Sequence, residues 1–426
     1  MYEPKVSVVI VSRDRPDGLA RLITSLRFQF YKTFEVIVVS NEKSVPFERV
    51  KHIYFDEPNI SAARNLGIEA AAGELIAFCD DDAVPEPTWL EYLIEPFQNQ
   101  SVGVAGGFVR GRNGIDFQWK AQQVDCFGND RPVELETEER FTIQQGDAGY
   151  VPKVQGTNCI FRKSTLLALD GFDEGFQFYL DETDVCIRAT RAGWSTVVVP
   201  NAEVQHGFAE SARRTAHRVP KSLYVEGKSK AYYCTKHAEN FDADDVYAVF
   251  EKKQRNRLLK LCVAGLLGPA DIPRLLKTLR QGFIDGQSMP VENRQRPLKC
   301  NSDMFVMFGE GLHKTLKSEA YVGSRISKKT MIVAAAQTAA QNTPVTLFYW
   351  SFTTLFHRRF FDGRGFWVQT GGLFGKSNRR QSYFRFNRVL TRGLKEISDL
   401  KKTRKIGKIS FFRFKRLSKV INVTKK

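Results

Sequence analysis

Short apolar runs alternate with polar, turn-forming stretches through the first half of the chain, and the spacing within each run indicates its element. Residues 5–11, Lys-Val-Ser-Val-Val-Ile-Val, are a β-branched run that reads as a first strand. Apolar positions in residues 19–26 repeat at helical spacing, and residues 34–39 form a second strand closed by Ser40 and Asn41. Residues 68–72 are alanine-rich and should be helical, ending at Gly73 as a left-handed cap. Residues 75–79, Leu-Ile-Ala-Phe-Cys, lie between Gly73 and Pro85 and read as a buried strand. Val185, Ala189 and Ala192 are spaced i, i+4, i+7 ahead of Gly193, which predicts an amphipathic helix over 183–192. Residues 195–199 read as another strand, and 246–267 as helix. Strand, helix, strand with polar residues at each carboxyl end describes a doubly wound α/β nucleotide-binding half.

The chemistry sits where these runs end. Asp80, Asp81 and Asp82 follow the strand at 75–79, and ligands of open α/β sheets bind at such carboxyl ends. Carboxylates this close repel unless a cation lies among them, and hard oxygen ligands suit Mg²⁺ or Mn²⁺. A competing reading makes Asp82 the lead into a helix near Pro85 and leaves Asp80 and Asp81 solvated. Arg64 falls near the start of a helix, where a cation is disfavoured unless it holds an anion such as a diphosphate. Asp181, Glu182 and Asp184 crowd the first turn of the helix at 183–192. Complementing the helix dipole accounts for roughly 0.3–1 kcal/mol of that, and adjacent carboxylates also suit a general base. His206, just past the strand at 195–199, is either a ligand of the metal or diphosphate or an ordinary packed histidine. Neither G-x-G-x-x-G after the first strand nor G-x-x-x-x-G-K-[ST] occurs, which argues against dinucleotide and P-loop readings.

Taken in order, these blocks resemble the family 2 glycosyltransferases with the GT-A fold, a group that includes bacterial enzymes building surface polysaccharides. The resemblance runs from about residue 5 to 237. It is carried by Val9 to Pro16, by Ala63-Arg64-Asn65-x-Gly67, by Asp80-Asp81-Asp82, by Gly171-Phe172-Asp173-Glu174 and by Asp181-Glu182. It implies a metal-dependent, inverting transfer from a nucleoside diphosphate sugar to a saccharide or lipid-linked acceptor. Asp80, Asp82 and His206 would hold Mg²⁺ or Mn²⁺; Ser12, Asp14, Asn41, Arg64, Asp80 and Asp81 would bind the donor; Asp181 or Glu182 would be the base. The pair stands as Asp-Glu where the family usually has Glu-Asp, and Glu182 is favoured with Asp181 in support. Many relatives carry Asp after the second strand where this chain has Ser40-Asn41, so the donor base stays open. A nucleotidyltransferase or sugar-nucleotide hydrolase could use the same triplet, and a nucleic-acid-binding protein with a degenerate transferase domain is the non-enzyme rival.

Composition then divides the chain. Of its 64 Lys+Arg and 47 Asp+Glu, residues 357–426 hold 21 and 3, leaving 43 and 44 before them. Essentially all of the net +17 thus belongs to the last segment. Phenylalanines are interleaved there, as in Tyr383-Phe384-Arg385-Phe386 and in 411–416. Three parts are expected: a GT-A domain over 1–237, a mainly helical and partly membrane-interfacial region over 238–356, and a basic aromatic tail over 357–426. Residues 331–356 carry no formal charge, yet Gln337, Gln341, Asn342 and Pro344 suit an interfacial or buried helical segment better than a spanning one. Cations and rings together suit an anionic membrane surface; single-stranded nucleic acid has less support, and a merely solvated tail is the plain alternative. Seven scattered cysteines without C-x-x-C argue against a disulfide framework and fit a reducing cytosol. With no secretory signal pattern at the start, the expected location is cytoplasmic, peripheral on the inner face of the cell membrane. Residues 108–150 look irregular and are expected to shape the acceptor site.

Overall fold

The computed structural model describes residues 2–138, 141–144, 146–147, 149–207, 209–291, 297–299, 304–309, 317–413 and 416–423. Its first half is built on a mixed sheet. From one edge to the other the strands are Thr142–Gln144, Ser195–His206, Val102–Arg110, Cys159–Arg162, Leu75–Phe78, Val6–Ser12, Phe34–Ser40 and Val50–Tyr54. The last four run parallel to one another, whereas Cys159–Arg162 is antiparallel to both its neighbours. Side-chain alternation along Val6–Ser12 builds two cores. Val6, Val8 and Ile10 pack with Leu19, Leu22 and Leu26 of helix Pro16–Leu26 and with Trp89 and Leu93. Val9 faces the other way, onto Ile68, Phe78, Phe172 and Val185. The doubly wound α/β sheet expected from the sequence is therefore present, with Ser12, Ser40 and the Asp triplet at the carboxyl edge of its parallel strands.

Several boundaries move. The helix expected at 68–72 runs instead over Ile60–Glu69, because Asn59 is a true N-cap, its side chain accepting from the Ala62 amide at 3.1 Å. Gly73 does not close it in a left-handed turn; the cap is Ala70, in ordinary right-handed geometry. Gly67 lets this helix lie against the first strand, where a Cβ would fall 2.3 Å from Val9 Cγ1. The strand after Gly193 is longer than expected, Ser195–His206, and pairs at its far end with Ala83–Pro85. Residues 108–150 contribute further short strands, Phe117–Trp119, Gln122–Val124 and Asp130–Pro132, in place of an irregular stretch.

A helical region follows, formed by Tyr224–His237, Ala243–Val263 and Asp271–Gln287. Beyond it the organisation differs from the expectation. The charge-free stretch at 331–356 is divided between helix Lys328–Ala340 and strand Val345–Ser351, and the segment expected as a tail folds back beside it. Together they form a six-stranded sheet in the order Arg358–Asp362, Phe366–Gly372, Val345–Ser351, Ser318–Ser324, Ile406–Arg413 and Arg416–Asn422. The four central strands are parallel. Met331 and Ala335 of Lys328–Ala340 pack on one face with Tyr321, Leu347 and Val368, while Ile397 and Leu400 pack on the other with Val322, Phe348 and Trp350. Phe411, expected to face a membrane, is instead core, whereas Phe414 and Lys415 lie outside the described residues, as does Cys300. Among the described residues no helix is long and apolar enough to cross a membrane.

The two sheets are joined by buried contacts. Phe28 and Val84 of the first pack with Ala339, Phe361 and Trp367 of the second. The Arg359 amide donates to Asn113 O at 2.7 Å and its carbonyl accepts from Gln205 Nε2 at 2.8 Å, next to His206.

Candidate active site

Three of the expected metal ligands converge. Asp80 and Asp82 follow the strand Leu75–Phe78, and His206 ends the strand that pairs with Ala83–Pro85. His206 Nε2 lies 3.1 Å from Asp82 Oδ1 and 3.8 Å from Asp80 Oδ2. One donor atom from each residue falls within 4.8 Å of the others. Two hard carboxylate oxygens and one imidazole nitrogen in that space fit a divalent ion such as Mn²⁺ or Mg²⁺. The Trp119 ring stacks on the imidazole at 5.9 Å between centroids.

Asp82 is held from several sides. Its Oδ2 accepts from the Ala209 amide at 2.7 Å and faces Arg15 Nη1 at 3.2 Å and Arg214 Nη2 at 3.4 Å. Burial alone would raise its pKa, but His206, Arg15 and the Ala209 amide outweigh burial and hold the carboxyl well below the usual carboxylate range. Asp81 is placed differently. It is fully buried, accepting from Ser12 Oγ at 2.8 Å and pairing with Arg15 Nη2 at 2.7 Å. Burial pushes it up to about 7 against the pull of Arg15. Ser12 and Asp81 thus engage each other. Asp81 lies in the turn between Leu75–Phe78 and Ala83–Pro85, which the Ala83 amide closes by donating to Asp80 O at 2.9 Å.

Asp14 and Asn41 form a separate pair at the ends of the first two strands. The Asp14 amide donates to Asn41 Oδ1 at 3.1 Å, and Asn41 Nδ2 donates to Asp14 Oδ1 at 2.7 Å. Arg64 connects the metal cluster with the acidic helix. Its Nη1 donates to Asp181 Oδ2, its Nη2 lies 3.8 Å from Asp80 Oδ1, and its guanidinium sits over Phe172 and Phe78 at 5.1 and 5.7 Å. Asp181 is therefore committed to Arg64. Glu182 is half-buried and is raised to about 7, chiefly by burial and by the charge of Asp181, with Lys153 and Arg64 opposing. Lys153 is itself buried and donates to Asp130 Oδ1 at 2.8 Å. The third carboxylate of that turn, Asp184, faces away, bound by His237 Nε2 at 2.8 Å and by Arg188 Nε at 2.7 Å.

The Gly171 to Glu174 motif positions Arg64. Asn65, next to it, donates through Nδ2 to Phe172 O at 2.8 Å and to Glu174 Oε1 at 2.9 Å, and accepts the Phe172 amide at 2.9 Å. Gly171 has φ +71, and a Cβ there would meet Asn65 Oδ1 at 2.5 Å. Asn65→Ala leaves buried backbone groups of this turn unpaired and is expected to cost about 1–3 kcal/mol, read as a lower urea midpoint at unchanged slope; an unshifted midpoint overturns that role. Asn158, just before the strand Cys159–Arg162, accepts from Trp89 Nε1 at 2.8 Å and donates to Phe108 O and Ala202 O, tying three elements together. The sequence pattern does not mark the cations Arg15, Arg214 and Lys153, because their contacts with Asp81, Asp82 and Asp130 span tens of residues.

Comparison with known proteins follows the same lines. Residues 7–169 match the family described as Glycosyl transferase family 2. The chain is 29% identical over 238 residues to O-antigen biosynthesis protein RfbC of Myxococcus xanthus, covering 52% of this chain but only 18% of that protein. It is 26% identical over 226 residues to the glucosyl-dolichyl phosphate glucuronosyltransferase of Haloferax volcanii, covering 48% of this chain and 70% of that protein. Among solved structures it is similar to GalNAc-T7 with UDP, GalNAc and Mn²⁺, at TM-score 0.42 and 15% identity, covering 55% of this chain and 48% of that one.

Proposed function

We propose, from the premise that residues 7–169 are a family 2 glycosyltransferase domain with the doubly wound mixed sheet of the GT-A fold, that the protein is a metal-dependent inverting glycosyltransferase. It would move a sugar from a nucleoside diphosphate to a saccharide, such as a lipid-linked chain of a surface polysaccharide, at the inner face of the cell membrane. One observation carries the reading: Asp80, Asp82 and His206 offer a divalent-ion donor set, and Arg64 joins that set to Asp181 beside Glu182. When bound, the ion would act as a Lewis acid on the leaving diphosphate. Arg64 adds a fixed positive charge at the same place, already oriented by Asp181. Glu182 accepts the proton of the acceptor hydroxyl as its oxygen bonds to the anomeric carbon; the bond to the diphosphate oxygen breaks and the electron pair leaves with the nucleotide. Attack opposite the leaving group inverts the centre. Asp14 and Asn41 suit the nucleoside end. The name of the Haloferax relative supports a lipid-linked acceptor.

Calorimetry with UDP-, GDP-, dTDP- and CMP-sugars, with and without Mn²⁺, tests this. One donor is expected to bind in a Mn²⁺-dependent way, and Asp82→Ala should lose that dependence. If no donor binds under either condition, the assignment fails.

A further inference from the structure

The second sheet carries a surface that the transfer chemistry does not use. Two loops leave the carboxyl ends of its parallel strands Val345–Ser351 and Phe366–Gly372 and lie against each other. The Phe374 amide donates to Thr353 O at 3.1 Å, the Arg385 amide to Phe374 O at 3.0 Å, and the His357 amide to Lys376 O at 2.9 Å. On this shared platform Phe352, Leu355 and Phe356 are 63, 63 and 66% exposed, and Tyr383, Phe384 and Phe386 are 77, 58 and 81% exposed. Phe384 and Phe386 stack on Phe374 at 5.5 and 5.9 Å, and Lys376 lies over the Tyr383 ring at 4.2 Å. The rings are thus held in place by the fold while facing outward.

Charge decides what could cover them. Between Asp362 and Glu396 the chain has no acidic residue, while Lys376, Arg379, Arg380, Arg385 and Arg388 are interspersed with Tyr383, Phe384 and Phe386 along it. Arg380, Arg385 and Lys395 also line a cleft together with Asp399. Apolar rings among cations fit the headgroup layer of an anionic bilayer, where rings enter the boundary and cations meet phosphates. A second copy of the same surface would bring cations against cations.

We propose that this surface, and not an extended tail, docks the protein on anionic phospholipid, with Phe352, Leu355, Phe356, Tyr383, Phe384 and Phe386 as the inserted residues. The proposal deepens the membrane part of the function above and rests on it for purpose. It also gives that attachment an orientation. Arg379 Nε reaches Asp116 Oδ2 at 3.1 Å, and Arg112, in the same loop as Asp116, donates to Ala216 O at 2.8 Å. Residues 209–214, just before, hold Asp82. Two bridges therefore separate the docking surface from the loop beside the metal ligands, so a lipid-linked acceptor would arrive next to the site.

Co-sedimentation of the full chain with phosphatidylcholine vesicles, with and without phosphatidylglycerol, tests this. Binding is expected only to the anionic vesicles. Phe356→Ser/Tyr383→Ser/Phe386→Ser, all at exposed positions, should weaken it by about tenfold or more, and Arg380→Gln/Arg385→Gln/Arg388→Gln should weaken it comparably and reduce its salt sensitivity. Both variants should keep the Mn²⁺-dependent donor binding of wild type, so a failure here is separable from a failure of the donor site. Equal binding of wild type and the aromatic variant overturns the proposal. So does a wild type that ignores vesicles, whether it instead self-associates in a manner the aromatic variant loses or binds single-stranded RNA through the same arginines.

Discussion

Glu182→Gln is expected to lower kcat by about 10²- to 10⁴-fold while Mn²⁺-dependent donor binding stays at its wild-type level. What decides it is which carboxylate is available. Asp181 is engaged by Arg64, whereas among the described residues no side chain hydrogen-bonds the Glu182 carboxylate, and burial with the neighbouring Asp181 charge raises it to about 7. A raised carboxyl is protonated, and unable to accept, below that value. The kcat/KM profile, which reports the free enzyme, should therefore climb with pH and level off above about 7. Glutamine keeps the shape of the side chain and removes that limb. Asp181→Asn releases Arg64 and should weaken donor binding while retaining the limb. If Asp181→Asn removes the limb and Glu182→Gln keeps it, the two roles are exchanged.

The sequence made the site more legible than the second sheet, for identifiable reasons. The Asp triplet interrupts an apolar run, so a one-dimensional pattern already exposes it, and His206 ends a run of the same kind. Asp81 shows the limit: it lies in the turn after the strand, and only the positions of Ser12 and Arg15 show that it is held inside. Which of Asp181 and Glu182 stays available could not be read from two adjacent acids, because Arg64, more than a hundred residues away, decides it. The six-stranded sheet was hidden by its own charge. Counting cations treats each as solvated, yet Arg359, Arg392 and Arg404 are buried, and Arg-Arg-Phe-Phe at 358–361 is an edge strand whose residues alternate between solvent and core. Phe411 and Phe384 look alike in sequence, but one lies in the core and the other is exposed.

Arg404→Met is expected to cost about 3–5 kcal/mol of stability, because it strands a carboxylate at the join between the sheets. Arg404 is fully buried; its Nε and Nη2 donate to Glu86 at 2.5 and 2.6 Å, and its Nη1 donates to Thr346 at 2.8 Å. Burial alone would raise Glu86, but the charge and hydrogen bonds of Arg404 outweigh it and hold Glu86 below its ordinary value. A depressed carboxyl contributes stability that is present at neutral pH and is lost as pH falls through and below the ordinary value of about 4.3. Arg404→Met should therefore lose most at pH 7, and its deficit should shrink in acid. The companion Arg404→Met/Glu86→Leu removes both charges and should recover most of the loss, measured by urea denaturation across pH. Glu86 directly follows Ala83–Pro85, the strand paired with Val204, Gln205 and His206, so loosening the join also loosens the metal ligands. Mn²⁺ affinity should fall in Arg404→Met and return in the double variant. A double variant no more stable than Arg404→Met would mean that the cost lies in lost packing against Trp367, over which the guanidinium sits at 4.9 Å, and not in the uncompensated charge.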